Sequence, residues 1–139
     1  MTSRRTTRTV SGHDARASFS KAREFVAAAH DDQNASRWNA AGLAAVHAGI
    51  CAGDAITISV LGVRSTSPDH AAVIELLGGV EAFGAPQRRQ LVGLLSMKNA
   101  VAYEQRLLTK TEAKQLVDQA ERFLAWAERA TQGPLGESR

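Results

Sequence analysis

The sequence contains a single cysteine, Cys51, and aromatic residues make up only 5% of its 139 residues. One cysteine cannot form an intramolecular disulfide or a cysteine-rich zinc site, and it fits a protein of the reducing cytoplasm. Few aromatics combined with abundant alanine favour close helix–helix packing over a sheet of β-branched and aromatic side chains. The composition therefore favours one all-α domain in the cytoplasm.

Several motifs of catalysis and targeting are also missing. No signal peptide is predicted, because the basic start of the chain leads into polar residues. Gly78-Gly79 follows a predicted helix and not a strand, so it does not form a phosphate loop, and no serine nucleophile elbow is present. His47, Cys51 and Asp54 share a helix face but lack a further ligand. The histidines are scattered without metal-ligand spacing, so neither a metal nor a cofactor is predicted: His13, His30, His47 and His70.

Positive charge is concentrated near the N-terminus, within a formal net charge of +3. We predict that residues 1–12 form a flexible basic arm. Such an arm can bind phosphates without sequence preference, although a basic terminus without a ligand explains it equally well. Residues 132–139 are predicted to be a disordered tail, because Gly133 and Pro134 cannot continue a helix. The arginines of the N-terminal excess are Arg4, Arg5, Arg8 and Arg16.

Between these tails, residues 13–131 show apolar positions at helical spacing. The prediction is an up-and-down bundle of four to five helices without strands. The longer predicted helices cover about 14–31, 35–61 and 87–107, and a shorter one ends near Val80. A capping box, Thr109 with Glu112, marks the start of the last helix, which runs to about Thr131.

The second predicted helix overlaps a long apolar run, 40–63. Its length suits a membrane span, but Asp54 near the middle would cost about 2.5–3.5 kcal/mol on insertion. We therefore expect no membrane association and place this segment at the centre of the bundle.

Charged residues also fall on apolar helix faces. Asp54 lies in the same stripe as Leu61, and Lys98 lies with Leu94 and Val101. Since an isolated buried charge is costly, we predict that Asp54 meets Lys98 across the helix interface. Such a pair has two explanations: it belongs to a functional site, or it only fixes the register of the helices.

The helix order, the alanine-rich second helix with embedded polar residues, and the run 94–103 (LLSMKNAVAY) together resemble HEPN domains of prokaryotes, over about 15–130. The resemblance implies a helical bundle that forms a homodimer in a toxin, defence or stress context. In that family an Arg, commonly followed by Asn, and a His four to six residues later cleave RNA without metal across the dimer groove. This chain has Lys98-Asn99 and Tyr103 at the corresponding positions.

These replacements change the chemistry. A tyrosine with a pKa of about 10 is a poor base at neutral pH, whereas a histidine can take a proton from a ribose hydroxyl. Lysine keeps the positive charge but loses the bidentate fork of arginine. The expected function is binding of RNA or a nucleotide, with weak or no RNase activity. The candidate binding residues are Lys98, Asn99, Tyr103, His47 and Asp54.

A second candidate site pairs Arg64 with His70. Their separation satisfies the family spacing at a different place, on a loop and a helix start. Backbone amides near Asp69, together with Ser65 and Ser67, would hold a phosphate at the helix N-terminus. The alternatives are an active metal-independent RNase that uses Arg64 and His70, or a chance spacing without function.

A third hypothesis belongs to another class of protein. The bundle would then be a non-catalytic oligomerisation scaffold, or an accessory subunit of a nucleotidyltransferase, and would bind a protein partner instead of RNA. Co-purification of a partner and little salt-dependent RNA affinity distinguish this class.

Overall fold

A computed structural model describes residues 7–9, 12–67, 69 and 71–131. It confirms the all-α bundle. In this part of the chain the α-helices are α1 (Gly12–Asn34), α2 (Trp38–Ile56), α3 (Ala71–Leu77), α4 (Ala85–Ser96), α5 (Lys98–Ala102) and α6 (Lys110–Thr131). The predicted tail 132–139 lies outside the described residues.

Helix α2 is the centre of the bundle, as its small residues predict. It packs against α1 along its length, and against α6 and α4 on other faces. Gly49 allows a close approach to α4, since a Cβ there would lie 2.7 Å from Leu94 Cδ1. The apolar stretch Trp38–Leu61 is long enough to cross a membrane, but 61% of its most apolar window is buried inside the bundle.

The end of α2 changes its hydrogen bonding. Residues Thr57–Leu61 continue as a π-helix, and Gly62 ends it with a left-handed φ of 72°. The Thr57 hydroxyl is buried and donates a hydrogen bond to the backbone oxygen of Asp54 at 3.1 Å. The helix therefore reaches Leu61 as predicted, with a widened last turn.

Two short strands were not predicted. Strand β1 (Thr7–Thr9) pairs antiparallel with β2 (Val63–Ser65), so that Arg8 lies opposite Arg64. Thr7–Thr9 were predicted as part of a flexible arm; they form an edge strand instead. Three-residue strands carry too little periodicity for a sequence pattern to reveal them.

The predicted helix 87–107 is interrupted. Helix α4 ends at Ser96, α5 is a short separate helix, and residues 103–109 are not helical. Leu108 anchors the non-helical segment, since its N–H donates to Asn39 Oδ1 at 2.8 Å and its side chain is buried in the core. The capping box is confirmed, with Glu112 N to Thr109 Oγ1 at 3.1 Å and Thr109 N to Glu112 Oε1 at 3.0 Å.

Candidate functional site

Asp54 and Lys98, both among the described residues, form no ion pair within 4.0 Å, so the predicted Asp54–Lys98 pair is wrong. Burial raises the pKa of the Asp54 carboxyl to about 6, and the charge of Arg64 offsets part of that rise. Strand β2, which carries Arg64, packs against the π-helical turn Thr57–Leu61 that follows α2, a contact that the helix pattern alone does not contain. Ion pairs within 4.0 Å among the described residues involve neither Asp54 nor Lys98: Arg23–Glu128, His30–Glu121, Arg37–Asp32 and Arg106–Glu112.

Cys51 and His47 lie on earlier turns of α2. Burial raises the pKa of the Cys51 thiol, the Asp54 carboxylate raises it further, and Lys21 acts in the opposite direction. His47 stacks on Phe25, with ring centroids 5.4 Å apart. His47 therefore contributes to the packing of α1 on α2 and does not join Lys98.

Lys98 and Tyr103 are brought together at the two ends of α5. The Lys98 ammonium lies 5.4 Å from the centroid of the Tyr103 ring, a cation–π distance, and the tyrosine is 72% exposed. Asn99 ends the short helix, since its backbone oxygen accepts from the N–H groups of Tyr103 at 2.9 Å and Glu104 at 3.1 Å. The α5 turn thus presents a positive charge beside an accessible aromatic face.

Lys98 and Asn99 also line a cleft of about 410 Å³ between α3 and the α4–α5 junction. Its apolar part includes Val92, which is 40% exposed on α4. The lining residues are Asp69, Ala71, Ile74, Val92, Leu95, Ser96, Lys98 and Asn99. Of the predicted binding residues, the structure therefore groups Lys98, Asn99 and Tyr103, and it separates His47 and Asp54 from them.

The second candidate site is altered by local hydrogen bonds. Ser65 Oγ accepts from Ser67 N at 3.2 Å, Ser67 Oγ from Asp69 N at 3.1 Å, and Asp69 Oδ1 from Ala71 N at 3.0 Å. The amides of Ser67, Asp69 and Ala71 are therefore already bonded, and a carboxylate lies among them. Arg64 belongs to β2 beside Asp54, and its buried Nε has no acceptor. His70 lies outside the described residues.

Sequence reasoning missed the cleft itself. Asp69 was considered as a helix cap and as part of an anion site, and Val92 was not singled out. The available signal was an apolar residue on the outer face of α4, one turn before Ser96. That signal is weak, because single exposed apolar residues are common on protein surfaces.

Comparisons with known proteins add no assignment, since no family model and no curated protein sequence matches this chain.

Proposed function

We propose that this protein is a HEPN-type helical bundle that binds single-stranded RNA or a nucleotide and cleaves RNA weakly or not at all. The observation that carries the proposal is the α5 turn. There, Lys98 has no carboxylate partner within the described residues and adjoins both an exposed tyrosine ring and a cleft.

The chemistry of these groups suits an unpaired nucleotide. An ammonium attracts a phosphate, and an exposed aromatic ring stacks on an unpaired base of any sequence. The Asn99 amide supplies a donor and an acceptor for a ribose or base edge. Double-stranded nucleic acid would not expose a base face to Tyr103, so a single strand or a free nucleotide is favoured.

The proposed setting follows from the resemblance to HEPN domains. In this setting the protein acts as a cytoplasmic homodimer in a toxin, defence or stress response, and the α5 turn faces the groove between the subunits. An excess of positive charge, +3 over the chain, is compatible with an RNA partner.

Replacing Lys98 with methionine is expected to weaken binding of a labelled single-stranded 12-mer RNA and to reduce the salt slope of log Kd by about 0.7. Replacing Tyr103 with alanine is expected to lower the affinity about tenfold through lost stacking. Fluorescence anisotropy at several salt concentrations measures both effects. Lys114→Met is the matched control, since Lys114 is exposed on α6, away from the cleft. Equal affinities for the Lys98 and Lys114 variants would refute the proposed site.

Incubation of the purified protein with the same RNA in EDTA is expected to leave the RNA intact. Tyr103 is a poor general base at neutral pH, and Lys98 cannot form the bidentate contact of an arginine. Metal-independent cleavage that is lost in His70→Ala would instead support the RNase that uses Arg64 and His70. Gel electrophoresis of the RNA distinguishes these outcomes.

The non-catalytic scaffold is the second candidate, and one observation favours it. Leu107 and Tyr103 are 73% and 72% exposed on the same non-helical segment, which therefore presents two large side chains to a partner. A protein partner that co-purifies with the wild type and is lost in Leu107→Ser, with no measurable RNA affinity, would favour the scaffold over the RNA-binding protein.

A further inference from the structure

The two walls of the cleft carry opposite chemistry. The α4–α5 wall presents Lys98 and Asn99, and the wall that leads into α3 presents Asp69. The lining also includes apolar side chains, Ile74, Val92 and Leu95, and the hydroxyl of Ser96. A ligand that suits this lining has an anionic group for Lys98, a flat or apolar body and a hydrogen-bond donor for Asp69.

Asp69 determines which donor is suitable. Its Oδ1 accepts from Ala71 N at 3.0 Å, which fixes the orientation of the carboxylate, and no side-chain donor from the described residues bonds Oδ2. An ionised carboxylate only accepts hydrogen bonds, so a carbonyl or ring nitrogen placed against it is repelled. A base edge with adjacent N–H groups is attracted.

The volume of the cleft suits one nucleotide. About 410 Å³ is near the lower end of the range for small-molecule sites, about 300–1,000 Å³. One base with its ribose and phosphate fits this space, while neighbouring nucleotides of a strand must lie outside, where Tyr103 is exposed.

We propose that the cleft binds a single ribonucleotide unit with a preference for guanine, an inference that rests on the proposed function. The guanine pairing edge presents N1–H and the N2 amino group side by side, which matches the two oxygens of Asp69. Uracil places one N–H between two carbonyls, and adenine and cytosine each place an amino group beside an acceptor nitrogen. The phosphate lies at Lys98, and the base covers Ile74, Val92 and Leu95.

Titration of the full chain with GMP, IMP and UMP tests this inference. The NMR chemical shifts of the methyl groups of Ile74, Val92 and Leu95 report whether each nucleotide binds in the cleft. GMP is expected to bind about tenfold more tightly than UMP. IMP, which lacks the amino group, is expected to lie between them. Asp69→Asn keeps an acceptor for Ala71 N and is expected to reduce the GMP preference to about twofold or less, since one carboxylate oxygen becomes a donor. Glu75→Gln, on the exposed side of α3, is expected to keep it.

The titrations distinguish failure of the guanine preference from failure of the proposed function. Equal affinities for GMP and UMP, with RNA binding that depends on Lys98, would overturn the guanine preference and leave the proposed function in place. The guanine preference is likewise overturned if RNA binds but neither mononucleotide shifts the cleft methyl groups. Absence of both RNA and nucleotide binding would overturn the proposed function together with this inference.

Discussion

Leu108→Ala is expected to lower the free energy of unfolding by about 3 kcal/mol, because it removes a buried leucine and leaves a cavity beside α2. Leu108 is only 4% exposed and belongs to the alanine-rich half of the core. Its side chain lies over Gly42, where a Cβ would come within 2.4 Å of Leu108 Cδ1.

Leu107→Ala is the matched control, since Leu107 is 73% exposed and the substitution is chemically identical. Its effect on the free energy of unfolding is expected to stay within about 0.5 kcal/mol. Urea denaturation followed by circular dichroism measures both variants. Similar losses for the two leucines would show that residues 103–109 are not anchored as described.

Leu108→Ala also tests whether the buried Leu108, bonded to Asn39, supports the candidate site. Tyr103 is the first residue of the non-helical segment 103–109, which leads to α6. The hydrogen bond from Leu108 N to Asn39 Oδ1 fixes the other end of this segment. Loosening that end gives Tyr103 more conformational freedom, which adds an entropic cost to stacking on a base. RNA affinity is therefore expected to fall in folded Leu108→Ala at low temperature, while Leu107→Ala keeps it.

Asp54→Asn is expected to raise the free energy of unfolding by about 2–3 kcal/mol above pH 7. The folded-state pKa of Asp54 is raised from 3.8 to about 6 because burial disfavours the charged form, and the nearby Arg64 does not fully compensate. Above that pKa the wild type must keep a partly buried carboxylate, whereas asparagine has nearly the same shape and no charge.

The direction of the pH dependence follows from the sign of the shift. A carboxyl whose pKa is higher in the folded state binds more protons there than in the unfolded chain. Its stabilising contribution is complete below about pH 4 and is lost as the pH rises through about 6. The difference between Asp54→Asn and the wild type should therefore be small at pH 4 and reach its maximum above pH 7.

Urea denaturation at pH 4.5, 6 and 8 measures this difference. Asp31→Asn, at an exposed position of α1, serves as the control and is expected to change the free energy of unfolding little at each pH. A difference for Asp54→Asn that does not vary with pH, or that grows toward acid, would contradict the described environment of the carboxyl.

The local patterns of the sequence determined the bundle. Apolar residues at helical spacing predicted α1, α2 and α6, because a helix is stabilised by bonds and contacts between residues three and four apart. The Thr109–Glu112 capping box predicted the start of α6 to within a residue for the same reason. The small residues of α2 predicted a central helix, since close packing needs short side chains.

Tertiary structure decided the partners of the polar residues and the limits of the fourth predicted helix. Leu107 and Leu108 are adjacent and have the same helix propensity, but Leu108 is buried and Leu107 is exposed. The difference arises because Asn39, 69 residues away, accepts a hydrogen bond from the backbone N–H of Leu108. The charge of Arg64 acts on Asp54 because a short strand packs against the π-helical turn that follows α2. The sequence alone thus determined which segments are helical, whereas contacts between distant segments decided where Lys98 and Asn99 meet the cleft, since no local periodicity encodes such contacts.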